Sequence, residues 1–229
     1  MSATIRIISS MATKQVLAEL IAQFHQRSPH RVLLESVGGV DAAKRVQAGE
    51  AFDVVVLAAN AIDTLMRDGK VVQGSRVDLA KSGVAIAVRQ GAPHPDVSTE
   101  EAVKQAVMAA PTLSYSTGPS GVHLAKLFAH WGIAEDLQPR TVQAPPGVPV
   151  GSLVASGDVT LGFQQLSELI HLQGIDVLGP LPDAIQIITT FSAGLAATSK
   201  EADAVRELLD FMVSADAVEA KRRNGVEPA

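Results

Sequence analysis

Ser114-Tyr-Ser-Thr-Gly-Pro-Ser-Gly-Val-His-Leu-Ala-Lys-Leu-Phe128 carries a short strand through small polar residues and glycines straight into an amphipathic helix. A strand that feeds a helix in this way is the repeating step of an α/β fold, and the junction is where such folds receive anions. The backbone N–H groups of Gly118, Ser120, Gly121 and Val122 fall in a first helical turn, which lacks intrahelical acceptors and carries roughly half a positive charge from the helix dipole. Ser116 and Thr117 add hydroxyls beside them. The same residues also read as an ordinary helix start, with Ser120 as cap and Gly118-Pro119 as the turn before it. On this segment alone both readings stand.

Working outward, the pattern repeats. Ile5 to Ile8 is a buried strand, Ser9-Ser-Met-Ala-Thr13 a polar turn, and Lys14 to His25 a helix with Val16, Leu17, Leu20, Ile21 and Phe24 on one face. Arg31 to Glu35 is a second strand, Ser36-Val-Gly-Gly-Val40 its turn, and residues 41–48 a helix closed by Gly49. Phe52 to Leu57 is a continuous apolar strand, followed by a short helix over 61–67. Further strands fall at 84–88, 113–116, 159–163, 175–178 and 189–197, with helices at 100–109, 151–156, 201–213 and 215–223. The order predicts an α/β protein of two lobes with parallel-rich mixed sheets. Lobe 1 takes residues 1–83 and 190–229 and lobe 2 takes 84–189, with the two crossings forming a hinge.

Composition narrows the chemistry. Of the 229 residues 47 % are hydrophobic and only 3 % aromatic, so the core is aliphatic and stacking on bases or sugars is disfavoured. A net charge of −5 supplies no basic field for nucleic acid. The absence of cysteine removes thiol catalysis and thiolate metal sites, and no histidine pair has metal-ligand spacing. Neither a phosphate loop of the Walker type nor a nucleophile elbow occurs. No run approaches the roughly 20 apolar residues of a membrane span, and no secretory signal precedes the first strand. The expected location is therefore cytoplasmic if the chain is complete, or periplasmic if a signal peptide has been removed.

Five stretches then carry a family likeness: Ser9-Ser-Met-Ala-Thr13; Lys44-Arg-Val-Gln-Ala-Gly49 with Phe52 to Ala59; Thr117-Gly-Pro-Ser-Gly121; Val159-Thr-Leu-Gly162; and Arg223-Asn-Gly-Val-Glu-Pro228. Over essentially its whole length the chain resembles the molybdate-binding proteins of the type II periplasmic solute-binding superfamily. The resemblance implies an anion held in a cleft between the lobes, closure on binding, and an ABC permease as partner if the protein is exported. It implies neither cofactor nor metal. Carried over by position, the family's first oxyanion-contacting serine falls at Ala12, its second at Gly39 beside Gly38, and its tyrosine donor at Gln165. Backbone contacts are implied at the Ser120 loop and at Gly147 and Val148.

Three hydroxyls are thus replaced, at about 0.5–1.5 kcal/mol of hydrogen bonding each, while Ala12 and Gly39 widen the pocket and Gln165 brings an amide that donates and accepts. That change suits a small carboxylate better than molybdate. The ligand set expected on this reading is Ser9, Ser10, Met11, Ala12, Thr13, Gly38, Gly39, Ser116, Thr117, Ser120, Gly121, Val122, Gly147, Val148 and Gln165. The leading expectation is a non-catalytic solute-binding protein. The alternative, from a related branch that is similar to aconitate isomerase, is an enzyme that shifts a proton on an unsaturated tricarboxylate. Lys14, if burial lowers its pKa, and His123 are then the proton carriers. Asp53, inside an apolar strand, reads as a tie to a neighbouring turn or amide rather than a catalytic carboxylate.

Overall fold

The computed structural model describes residues 2–144 and 148–229. In chain order the elements are β1 (Thr4–Ser10), α1 (Lys14–Phe24), β2 (Arg31–Val37), α2 (Gly39–Gln47), β3 (Val54–Ala58), α3 (Ala59–Arg67), β4 (Val77–Arg89), α4 (Glu100–Ala109), β5 (Leu113–Tyr115), α5 (Pro119–His130), α6 (Ala134–Leu137), α7 (Val150–Ser156), β6 (Leu161–Gln165), α8 (Leu166–Leu169), β7 (Ile175–Pro180), β8 (Ile188–Leu195), α9 (Ala202–Val213), α10 (Val218–Arg223) and β9 (Glu227–Pro228). The chain divides into two compact units, Met1–Ser82 with Thr190–Ala229, and Gly83–Thr189.

In the first unit the strands run β2-β1-β3-β8-β4, with β1 parallel to both β2 and β3, and β3 antiparallel to β8. Alternation along β1 and β3 sends Ile5, Ile7, Val54 and Val56 to the face covered by α1, α9 and α10, and Ile8, Val55 and Leu57 to the face covered by α2 and α3. Each such side chain taken out of water contributes about 1.5–3 kcal/mol, which is what fixes the register. Asp53 is structural, as the sequence suggests: Oδ2 accepts the Arg6 N–H at 2.8 Å and Oδ1 accepts the Ser199 hydroxyl at 2.7 Å.

In the second unit the order is β7-β4-β6-β5, with β6 and β7 antiparallel to β4 and only β5 and β6 parallel. Leu161 and Phe163 of β6 face Leu124 and Phe128 of α5, whereas Ala85 and Ala87 of β4 face Val154 of α7. Glycines set the closeness on the α7 side: a Cβ on Gly162 would lie 2.5 Å from Val154 and 3.1 Å from Val150.

Several boundaries differ from the sequence reading. Ser9 and Ser10 belong to β1, and only Met11–Thr13 form a turn, a single 3-10 turn that leads into α1. The turn after β2 shrinks to Gly38, because α2 begins at Gly39. β4 extends back to Val77, where Asp78 and Lys81 interrupt the apolar pattern.

Candidate functional site

Among the described residues, both buried side-chain polar atoms without a partner, Ser114 Oγ and Gln165 Oε1, lie on the parallel pair β5 and β6. Pro119 opens α5 at its first position, where its missing N–H costs nothing. Gly118 is the cap residue and no side chain caps the helix, so Ser120 is not the cap that the sequence allowed. The Ser120 hydroxyl instead meets Ser116 Oγ at 3.0 Å. Val122 also departs from expectation: its N–H donates to Gly118 O at 3.1 Å and is already paired. That leaves Ser120 and Gly121 as the first-turn amides with no backbone acceptor among the described residues. Both are buried.

Gly121 is required here for a reason other than backbone angle. It sits in a regular helix, yet a Cβ at this position would land on the Ser116 carbonyl and within 3.3 Å of Tyr115. The helix start is therefore pressed against the end of β5, which holds the two amides in place. Thr117 and His123 are exposed beside them.

Gln164 and Gln165 close β6 on opposite faces. Gln164 Oε1 accepts the Gly151 N–H at 3.1 Å, and its Nε2 donates to Glu168 Oε2 at 2.7 Å. Both partners dictate how that amide is oriented, because an N–H can only donate and a carboxylate only accept. Burial pushes the Glu168 carboxyl up to about 7, and the Gln164 bond only partly offsets this. Gln165 lies on the α5 side, 4 % exposed; its Nε2 donates to Thr189 Oγ1 at 2.8 Å and its Oε1 has no partner. The sequence carries no signal for the Gln164–Glu168 pair, because the two residues belong to different elements.

In the other unit the hydroxyls at the end of β1 are matched among themselves. Ser9 Oγ meets Ser36 Oγ at 2.7 Å, from the residue beside it in register on β2. Thr13 Oγ1 donates to Ser10 O at 3.1 Å and lies 3.5 Å from Ser10 Oγ. Ala12 is buried and Met11 half-buried. Gly38 caps α2, and a Cβ on Gly39 would meet Ser10 Cβ at 3.5 Å, an ordinary contact. Lys14 is exposed, so the burial that its role as proton acceptor called for is not present. Val148 is exposed, and Gly147 lies outside the described residues. Among the described residues no cluster of three or more His, Cys, Asp or Glu is placed to hold a metal ion. No helix among them is long and apolar enough to cross a membrane.

Comparison with known proteins follows the same lines. The chain is 40 % identical over 185 residues to an aconitate isomerase from a Pseudomonas species, a match covering 80 % of this chain and 70 % of that protein. Its fold superimposes on the periplasmic molybdate-binding protein of Azotobacter vinelandii with a TM-score of 0.82 at 20 % identity, covering 98 % of this chain and 99 % of the other. It also superimposes on the sulfate-binding protein SubI of Mycobacterium tuberculosis H37Rv with a TM-score of 0.80 at 16 % identity, covering 99 % and 87 %. At these identities the two structures establish the fold, a type II periplasmic-binding-protein architecture, and not the ligand. The model of the bacterial extracellular solute-binding proteins matches residues 5–227, nearly end to end, and the chain belongs to that family.

Proposed function

We propose that this chain binds a small unsaturated tricarboxylate and interconverts its isomers, as an enzyme of the aconitate isomerase type. The observation that carries the reading is the 40 % identity to an aconitate isomerase over 80 % of the chain. The replaced hydroxyl positions Ala12, Gly39 and Gln165 agree with it, since they suit a ligand wider than a tetrahedral oxyanion. The Ser120 and Gly121 amides at the start of α5 hold a carboxylate, with the helix dipole behind them.

The reaction on this reading is a proton shift. A proton leaves the methylene carbon, the resulting charge spreads into the flanking carboxylates, and a proton returns at the former vinylic carbon. The double bond moves by one position and nothing else is gained or lost. Amides fixed at the carboxylates stabilise the delocalised charge as it forms. Lys14 is exposed and lacks the burial that its role called for, which leaves His123 on α5 as the candidate proton carrier. Incubation with cis-aconitate followed by proton NMR tests this: trans-aconitate should accumulate with the parent protein, and its rate of formation should fall about 100-fold or more in His123→Ala. An unchanged rate in that variant would remove His123 from the reaction.

A second reading has its own support. The family consists of solute-binding proteins, and the structural relatives include a tungstate ABC transporter protein from Geobacter sulfurreducens. On that reading the chain is a periplasmic receptor that delivers a small anion to an ABC permease and does not turn it over. Tight carboxylate binding without interconversion selects the receptor.

A further inference from the structure

Gln165 is the last residue of β6 and shares a face with Phe163, two positions earlier. Phe163 packs edge-on against Phe128 of α5, with ring centroids 6.1 Å apart. The Gln165 amide therefore lies on the α5 side of the sheet, at the end of the strand. Because β5 runs parallel to β6 and leads directly into α5, the start of that helix lies at this same end. The buried amide oxygen without a donor and the two helix amides without acceptors thus share one face and one end of a single unit.

These groups ask for different things. The Ser120 and Gly121 N–H groups call for a negatively charged oxygen. Gln165 Oε1 calls for a hydrogen, because a carbonyl oxygen only accepts. One of its two N–H donors goes to Thr189 Oγ1, and Thr189 is itself buried, which fixes the amide with its oxygen left over. A fully deprotonated tetraoxyanion offers no hydrogen and would bring its lone pairs against that oxygen. A carboxylic acid group, or an oxyanion that keeps one hydrogen, satisfies both kinds of group at once.

We propose that Gln165 makes this site selective for anions that carry a hydrogen-bond donor, so that its polycarboxylate ligand binds with one carboxyl group protonated. The inference rests on the reading above only in taking this end of the unit as ligand-binding. Unlike that reading, it makes no demand for turnover.

Calorimetry on the full chain tests it with trans-aconitate and with two tetrahedral probes of similar shape, phosphate, which keeps a hydrogen near neutral pH, and sulfate, which does not. Trans-aconitate binding, measured in two buffers of different ionisation enthalpy, should take up a proton, and phosphate should bind more tightly than sulfate by about fivefold or more. Gln165→Met, which keeps the volume and removes the acceptor, should bring the two tetrahedral anions to near-equal affinity and abolish the proton uptake. Sulfate binding as tight as phosphate, or aconitate binding without proton uptake, overturns the inference; a sulfate preference would mean that the amide presents its NH2 group instead. Both results come from the parent protein and need no folded variant. A phosphate preference with no aconitate turnover would sink the isomerase reading and leave this one intact. Failure to bind any of the three anions would sink both.

Discussion

The two units end their parallel strands in similar short polar turns and treat them in opposite ways. At the end of β1 the hydroxyls of Ser9, Ser10 and Thr13 are consumed by Ser36 and by the chain itself. At the ends of β5 and β6 two helix amides and one amide oxygen are left over, although all three residues are buried. Leaving a buried polar side-chain atom unmatched costs about 1–3 kcal/mol, and the two such atoms among the described residues, Gln165 Oε1 and Ser114 Oγ, both lie in this unit. The first turn is a frame that presents backbone. The second selects.

The largest expected effect tests how tightly the second turn is built. Gly121→Ala should cost about 2–4 kcal/mol in urea unfolding, because the new methyl group meets a backbone carbonyl that cannot rotate away. The matching change in the other unit, Gly39→Ala, should stay within about 0.5 kcal/mol of the parent, since its nearest neighbours stand at ordinary contact distance. Equal costs for the two would break the comparison.

Glu168 offers a pH-dependent test within the second unit. Its carboxyl is raised from 4.5 to about 7, so the folded state holds a proton more firmly than the unfolded chain does. Stability should therefore be greatest below the unfolded value, fall as pH rises through that window, and level off above about 7, with a total loss of order 3 kcal/mol. Glu168→Gln keeps an acceptor for Gln164 and removes the charge. Its melting temperature relative to the parent should be higher at alkaline than at acid pH, and a difference that does not change with pH would contradict the buried-carboxyl account.

A smaller effect separates frame from selector. Ser9→Ala should destabilise by about 1 kcal/mol through the loss of its bond to Ser36, while leaving ligand affinity as it is. Ser120→Ala should cost a similar amount, through the loss of its bond to Ser116, and should also weaken ligand binding modestly. Paired unfolding and binding curves on the two variants decide the matter. A Ser9→Ala protein that binds several-fold more weakly would place the first turn among the selecting groups.

Periodicity made most of the fold legible, because α1, α5 and α9 each bury one apolar face and announce it in spacing, and β1 and β3, covered on both faces, show as continuous apolar runs. Where pattern fails, pairing decides. β9 is two residues ending in Pro228, defined by its register with Ala80 and Lys81 on β4, and no local signal marks it. The candidate site was half legible. The glycine loop before α5 shows in the sequence, but which of its amides are free depends on the helix starting at Pro119, which leaves Val122 paired and Ser120 uncapping. The Ser9–Ser36 pair depends on a register between strands, and the unmatched Gln165 oxygen on what Thr189 does 24 positions away. Neither is a property of a stretch of sequence.

Which anion the protein prefers decides most directly whether Gln165 selects. Calorimetric titration of one preparation with trans-aconitate and, separately, with molybdate compares a hydrogen-bearing polycarboxylate against the ligand of a fold relative. Saturable binding of trans-aconitate with little or no molybdate binding is the predicted result. Molybdate bound more tightly than aconitate would contradict the account, because the unmatched Gln165 oxygen and the missing hydroxyls at Ala12 and Gly39 would then have no bearing on selection.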